Sequence, residues 1–384
     1  MTGYIQRRSC DIPARGGWWD RFQNVGISIS ASPRFRTWAA RFFLTRPIAR
    51  RRARQLFDVC AGFVYSQVLL ACVRLNVFDI LEAAPLPAAQ LAQRLSLSND
   101  ATVRLADAAV SLQLLRRDRH SRYSLGVLGA ALMGNEALRA MIEHNALLYC
   151  DLRDPVRLLK SGGADGELAR YWPYAELREA GSSQAAFAYS ELMARSQPLV
   201  AQEIFDAYSL SRHTCLLDVG GGNGEFIAAS AARAPHLKVQ LFDFPDVAAL
   251  ARSRLSLLIS EGRAQIFAGD FFADALPRGA DLISLVRVLH DHDDVAVARL
   301  LSAVRRALPS NGRLLVAEPM AGVGGAETVG AYFDFYLFAM GKGRCRTQRQ
   351  LTDLLIAAGF KRPRPLPTHV PLQTCLLIAD AASK

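Results

Sequence analysis

LLDVGGGNGEF, residues 216–226, is the stretch on which the reading of this chain turns. Its apolar start ending in Asp218 and Val219 reads as a buried strand. Gly220, Gly221, Gly222 and Gly224 read as a sharp turn, and Glu225-Phe226 as the start of a helix. Glycine lets the backbone reverse tightly and come close to a ligand. A dinucleotide fingerprint needs Gly-x-Gly-x-x-Gly. Counted from Gly220 its sixth position is Glu225, and counted from Gly222 it is Ile227, so both registers fail. A phosphate-binding Walker loop fails as well, because no Gly-Lys-Ser/Thr follows.

Outward from that loop, TCLLDVG, KVQLFDF, DLISLVRVL, GRLLVAE and CLLIAD alternate with helical stretches from about residue 214 onward. This rhythm predicts an α/β domain with a parallel sheet and crossover helices. Asp243 ends the second run, 19 residues beyond Gly224. A carboxylate at that place can accept both hydroxyls of a ribose. GDFF (269–272) then offers Asp270 for an adenine amino group and Phe271 to cover the ring. With Arg287 in the next run, Asp218, Gly220, Gly222, Asp243, Asp270 and Phe271 form the candidate cofactor-binding set.

VRVLHDHDD (286–294) follows the strand-like DLISL. Ligands of open α/β sheets bind beyond the carboxyl ends of the strands, which is where His290 falls. A neutral imidazole can take a hydroxyl proton near pH 7. Glu318 ends the following run, LLVAEPM, so adjacent strands can bring it beside His290 to fix the tautomer and support the imidazolium. His292 is the alternative base. Asp291, Asp293 and Asp294 suit a helix start better than a metal, and no metal is expected.

Before residue 214 the character differs. Residues 56–80 form a long apolar segment with helical spacing, expected to be buried, against a second subunit in one reading. AAQLAQRLSLSNDATVRLADAAVSLQLL reads as two short helices, the second capped at Asn99 or Asp100, and RRDRHSRYSL (116–125) as a small β-wing. This is a winged-helix pattern. Its second helix offers only Arg104, Gln113 and small polar residues, too little for reading a DNA groove, so dimerisation is the expected role and nucleic acid is not expected as a partner. Residues 126–200 read as helical.

The charge is uneven. Residues 1–54 hold twelve arginines against Asp11 and Asp20, so +10 of the net +11 sits there, interleaved with Trp18, Trp19, Phe22, Phe35, Trp38, Phe42, Phe43 and Leu44. Such an arm suits an anionic membrane surface, or packs on its own dimer. Seven scattered cysteines without a CxxC pair point to a reducing compartment. Charges at Arg7, Arg8, Asp11 and Arg15 argue against a secretory signal, and no run of 18 uninterrupted apolar residues suggests a spanning helix. The expected location is the cytoplasm, with peripheral contact at an inner or photosynthetic membrane.

Glycine turn, strand-end acid and GD-aromatic in this order resemble the class I methyltransferases. DVGGGNG, FDFPDV, GDFF, RVLHDHDD, VAEP and TQRQLTDLLIAAGF together resemble the caffeate-type O-methyltransferase family, from about residue 56 to the end. The resemblance implies a Rossmann-like catalytic domain that binds S-adenosylmethionine, preceded by an all-helical winged-helix dimerisation domain, and a homodimer. Domains are then expected at 1–54 (arm), 55–200 (dimerisation) and 201–384 (catalysis). The family's catalytic histidine falls on His290 and one supporting glutamate on Glu318. The other falls on Cys345 in GRCRT, a departure from the pattern. The leader SPRFRTWAARFFLTRPIARRRARQLFDVCAGFVYSQ is similar to the carotenoid O-methyltransferases of phototrophic bacteria, of the hydroxyneurosporene or demethylspheroidene type. That implies a hydrophobic hydroxylated substrate, methylated on the tertiary 1-hydroxyl of an acyclic carotenoid. Alternatives are a phenolic or polyketide hydroxyl as acceptor, a winged-helix regulator with a degenerate methyltransferase domain, and a membrane-bound scaffold without catalysis.

Overall fold

The structure, a computed structural model, describes residues 31–163, 166–171, 183–324, 327–371 and 374–381. Trp18, Trp19 and Phe22 of the basic arm lie outside the described residues.

The C-terminal part is built on a seven-stranded sheet of β4 (Cys215–Val219), β5 (Lys238–Asp243), β6 (Ala264–Ala268), β7 (Leu282–Val286), β8 (Arg313–Glu318), β9 (Phe360–Leu366) and β10 (Cys375–Ala381). Its order is β6-β5-β4-β7-β8-β10-β9. Strand alternation explains the two buried faces. Leu217, Val219, Ile283, Leu285, Leu314 and Val316 pack with Val297, Leu300 and Val304 of helix Asp294–Ala307. Leu216, Leu282, Val286, Leu315 and Ala317 pack on the other side with Phe226, Ile227 and Ile204.

The expectation of an all-parallel sheet needs one correction. CLLIAD is antiparallel to both neighbours, with Cys375 opposite Glu318 on β8. Residues 367–374 alone join β9 to β10, too few for the crossover that a parallel pair requires. β6 and β9 were not among the expected strands. β9 carries Pro363 and Pro365, which an edge strand tolerates because its outer N–H groups pair with nothing.

The N-terminal part holds helices Arg46–Arg74, Val77–Glu82, Ala88–Leu95 and Asn99–Ser111, and a small sheet β1-β3-β2 of β1 (Leu86–Pro87), β2 (Leu115–Arg117) and β3 (Arg122–Leu125). Helix, helix and wing are as expected, the wing being the small sheet β1-β3-β2. The cap is Ser98, whose Oγ accepts the Ala101 N–H, one residue earlier than expected. The expected boundaries at residues 54 and 200 fall inside the continuous helices Arg46–Arg74 and Ser183–Ala207.

Burial of 56–80 holds only for its second half. Leu70, Cys72 and Val73 join the core with Phe78, whereas Phe57, Val59 and Phe63 are 64%, 81% and 70% exposed. Among the described residues no element covers this part of the helix, and an apolar patch of that kind marks an association surface.

Candidate active site

The sheet order reverses between β4 and β7, and the glycine loop after β4 meets the segment after β7 at that switch point, where open α/β sheets bind ligands. A cavity of about 320 Å³ lies there. Asp218, Gly220, Gly222, Asp243, Phe271 and Arg287 line it, as the spacing suggested; Asp270, His290 and Glu318 do not. Asp270 instead turns its Oδ1 to the N–H of Phe272, 2.8 Å away, and so braces the loop that carries Phe271.

Gly220, Gly222 and Gly224 have φ of 71°, 59° and 84°, values that a side chain would strain. A Cβ on Gly220 would press within 2.8 Å of Val288, while the Cβ direction of Gly222 is open. Asp243 is buried at the end of β5. Its oxygens accept the N–H of Gly222 at 2.8 Å and of Phe244 at 2.7 Å, which locks the carboxylate to the loop. Burial raises its pKa to about 7, against those two hydrogen bonds. Asp218 is raised to about 7 by burial, with its Oδ1 held by Ser284 Oγ at 2.6 Å and Asp243 nearby. These carboxylates suit a ligand that brings hydrogen-bond donors.

Phe244, Phe271, Phe272 and His292 make an aromatic wall for a flat ring, with His292 edge-on to both Phe271 and Phe272 at 5.6 and 5.2 Å. The buried Asn223 Nδ2 at the cavity has no partner among the described residues, so a ligand acceptor would satisfy it. Glycine cradle, strand-end carboxylate, aromatic wall and orphaned amide fit S-adenosylmethionine. Arg287 has φ of 57°, rare for a non-glycine residue and a mark of functional sites. Its guanidinium donates to Ser196 Oγ at 2.6 Å, Met193 O at 2.8 Å and Gln197 Oε1, tying helix Ser183–Ala207 to the cavity.

Behind the cavity the expected pair is assembled. Glu318 is buried at the end of β8, and its Oε1 accepts the N–H groups of Val288 at 2.9 Å and Leu289 at 2.6 Å. Its other oxygen binds His290 Nδ1. That leaves Nε2 turned away from Glu318, 3.1 Å from Asp291 Oδ1, and Asp291 in turn borders the cavity. Burial disfavours charge on the ring, but Asp291 and Glu318 outweigh it and raise the pKa to about 10. Cys345 is a poor carboxylate substitute. Burial, with the charges of Asp334 and Glu318, pushes its thiol up to about 11, so it stays neutral. The second carboxylate beside His290 comes from the neighbouring Asp291.

Arg346 was missed by sequence reasoning. It is 2% exposed, and it donates to Leu289 O and His292 O, both at 2.7 Å, and to Asp294 Oδ1 at 2.8 Å. One guanidinium thus clamps the backbone on both sides of His290. The sequence carries no local signal for this, since the loop is more than 50 residues away. Asp293 caps helix Asp294–Ala307 through the Ala296 N–H, the helix-start use expected of these acids. Arg346→Lys keeps the charge but not the fork. It is expected to destabilise the protein by about 1.5–3 kcal/mol for a lost charged hydrogen bond, and to lower kcat about tenfold by loosening the loop. Calorimetry should find S-adenosylhomocysteine affinity little changed. An unaltered kcat would show that the clamp does not position His290.

A sheet of this order, with β10 antiparallel and a glycine-carboxylate cradle at its switch point, defines the class I S-adenosylmethionine-dependent methyltransferases. The family model described as O-methyltransferase domain matches residues 154–361, and that described as O-methyltransferase dimerisation domain matches 57–135. The chain is 41% identical over 359 residues to the demethylspheroidene O-methyltransferase of Cereibacter sphaeroides, covering 92% of this chain and 93% of that one. It is 39% identical to the protein of that name from Rhodobacter capsulatus, over 93% and 89%. The structure of CalO1, a methyltransferase in calicheamicin biosynthesis in its S-adenosylhomocysteine-bound form, superposes with a TM-score of 0.72 at 26% identity, covering 86% of this chain and 98% of that one. The chain belongs to the O-methyltransferase family and is an S-adenosylmethionine-dependent O-methyltransferase. Its dimerisation domain supports a homodimer.

Proposed function

We propose that the protein methylates the tertiary 1-hydroxyl of an acyclic hydroxycarotenoid, with His290 as the base. The observation that carries the acceptor is the 41% identity sustained over 92% of the chain to a demethylspheroidene O-methyltransferase. An apolar cluster of Tyr336, Leu337, Met340 and Leu148, with Tyr332 and Phe333 packed on it, comes close to the base: a Cβ on Gly343 would meet Leu337 Cβ at 2.9 Å and His290 O at 2.7 Å, which supports an apolar neighbourhood for the acceptor.

S-adenosylmethionine supplies a sulfonium-bound methyl group. Asp243 and the glycine loop hold the donor, and the aromatic wall excludes water from it. A hydroxyl seated at His290 Nε2 passes its proton to the ring, while Glu318 on Nδ1 keeps the tautomer and balances the imidazolium. A tertiary alcohol is a very weak acid, so proton removal accompanies methyl transfer rather than preceding it. Alignment itself supplies up to about 7–11 kcal/mol. Because the free ring favours its protonated form, it must first lose the Nε2 proton that faces Asp291, and only the neutral ring then accepts the hydroxyl proton. The protein acts in the cytoplasm, at the surface of the membrane that dissolves such an acceptor.

The test is incubation of purified protein with methyl-labelled S-adenosylmethionine and a panel of hydroxycarotenoids and phenols. The expected product is a carotenoid tertiary methyl ether, identified by its mass and fragmentation. Transfer to phenols alone would replace the carotenoid reading.

A further inference from the structure

We infer that helix Pro33–Arg41 and the first turns of helix Arg46–Arg74 form a docking surface for an anionic lipid bilayer. Between residues 31 and 57 there are eight arginines, at 34, 36, 41, 46, 50, 51, 52 and 54, and no aspartate, glutamate or lysine. The turn between the helices is pinned by Thr45 Oγ1 donating to Ala39 O at 2.8 Å, so the corner between the two helices is held by the chain itself. Large apolar side chains stand out of it beside the guanidinium groups. Phe43 is 72% exposed, and Trp38, Leu44 and Ile48 are exposed as well. Phe35, Trp38, Phe42 and Phe43 run ring to ring, at 5.6, 5.0 and 5.1 Å between centroids.

Three occupants could cover such a face. A second copy is disfavoured by charge, since a twofold interface would set arginine against arginine. The dimerisation-domain match begins at residue 57, past the last arginine of the run, where Phe57, Val59 and Phe63 offer an exposed apolar face of their own. Nucleic acid would satisfy the arginines, but a phosphate backbone offers nothing to Phe43, Leu44 and Ile48. A bilayer satisfies both. Guanidinium groups bind lipid phosphates bidentately, aromatic rings settle at headgroup depth, and aliphatic side chains enter the acyl boundary. The helix Arg46–Arg74 is long and apolar enough by composition to cross a membrane, yet Leu70, Cys72 and Val73 are in the protein core and five arginines occupy its start, which fits lying on the surface instead. The purpose of the surface, reaching a membrane-dissolved acceptor, rests on the reading above; the surface itself does not.

The experiment is co-sedimentation of the full-length protein with vesicles of phosphatidylcholine alone or mixed with phosphatidylglycerol. The parent should bind the anionic vesicles, and bind them less in high salt. The variant R50Q/R51Q/R52Q/R54Q should lose about tenfold or more in partitioning, given the attraction of each basic residue to anionic lipid. F43S/L44S should weaken binding in high salt, where insertion dominates. Both variants should keep the parent's size by light scattering and its turnover of a detergent-dispersed acceptor. Variants that sediment like the parent would overturn the proposal. So would a shift to monomer, which would give the face to a second copy, or loss of duplex DNA binding with vesicle binding intact, which would give it to nucleic acid. Should no acceptor be methylated, heat-denaturation midpoints with S-adenosylhomocysteine report folding in place of turnover, and the vesicle result still stands.

Discussion

His290→Ala is expected to lower turnover by about 10²–10⁴-fold, the usual cost of a lost general base. S-adenosylhomocysteine should still bind, because His290 is absent from the lining of the cofactor cavity. Glu318→Gln should cost less. A glutamine oxygen can keep the Val288 and Leu289 N–H groups, but not the charge opposite Nδ1. The double variant should be little worse than His290→Ala alone, since groups acting as a unit are not additive. His292→Ala should be mild in kcat and show itself in the KM for the cofactor, because its ring stands in the aromatic wall. A dead His292→Ala beside an active His290→Ala would move the base to His292.

The pH profile gives a second readout of the same pair. The folded His290 sits near pKa 10, above the ordinary value of 6.5. The ion pairs therefore stabilise the fold fully below about pH 6.5, and that contribution is lost as pH rises through about 10. Activity runs the other way, because only the neutral ring accepts a proton. kcat/KM should climb with pH across the alkaline range until unfolding intervenes. Glu318→Gln removes one of the two carboxylates that hold the ring protonated, so its rising limb should move to lower pH. A limb that stays in place would mean that another group controls it.

Asp243→Ala should raise the dissociation constant for S-adenosylhomocysteine by on the order of 10²–10⁴-fold, as two charge-assisted hydrogen bonds are each worth about 1.5–3 kcal/mol. The carboxylate is held ready by Gly222 and Phe244, so a ribose diol would meet it with no reorganisation. Burial raises its pKa to about 7, and diol donors favour the charged form. Affinity should accordingly weaken as pH falls from 8 to 6. Asp243→Asn, which can keep one of the two loop contacts, separates loss of the ribose contact from collapse of the loop. Calorimetry showing unchanged affinity in both variants would remove Asp243 from the donor site.

Much of this was legible in the chain itself. The glycine turn, the acid at the end of the next strand, and histidine and glutamate at the ends of two further strands are local patterns. Each depends on a residue and its near neighbours, and strand ends converge wherever the sheet is parallel. Cap and wing chemistry in the N-terminal part is local in the same way, to within one residue at Ser98.

What the tertiary structure alone decided is everything that joins distant segments. β10 is antiparallel because its link to β9 is short, a property of a connection and not of CLLIAD. Spacing offers Asp270 to an adenine amino group; the fold adds that its Oδ1 accepts the Phe272 N–H and so braces the loop behind Phe271. Arg346 reads as an ordinary basic residue until the fold buries it against Leu289, His292 and Asp294. The two carboxylates around His290 could be counted in the sequence, yet their combined hold on its proton depends on burial and distance. Charge and hydrophobicity near residues 31–64 were visible at once, but only the packing showed which part of the long helix enters the core and which part stays outside it. A side chain's periodicity follows from its own backbone; its desolvation and its partners follow from the rest of the chain.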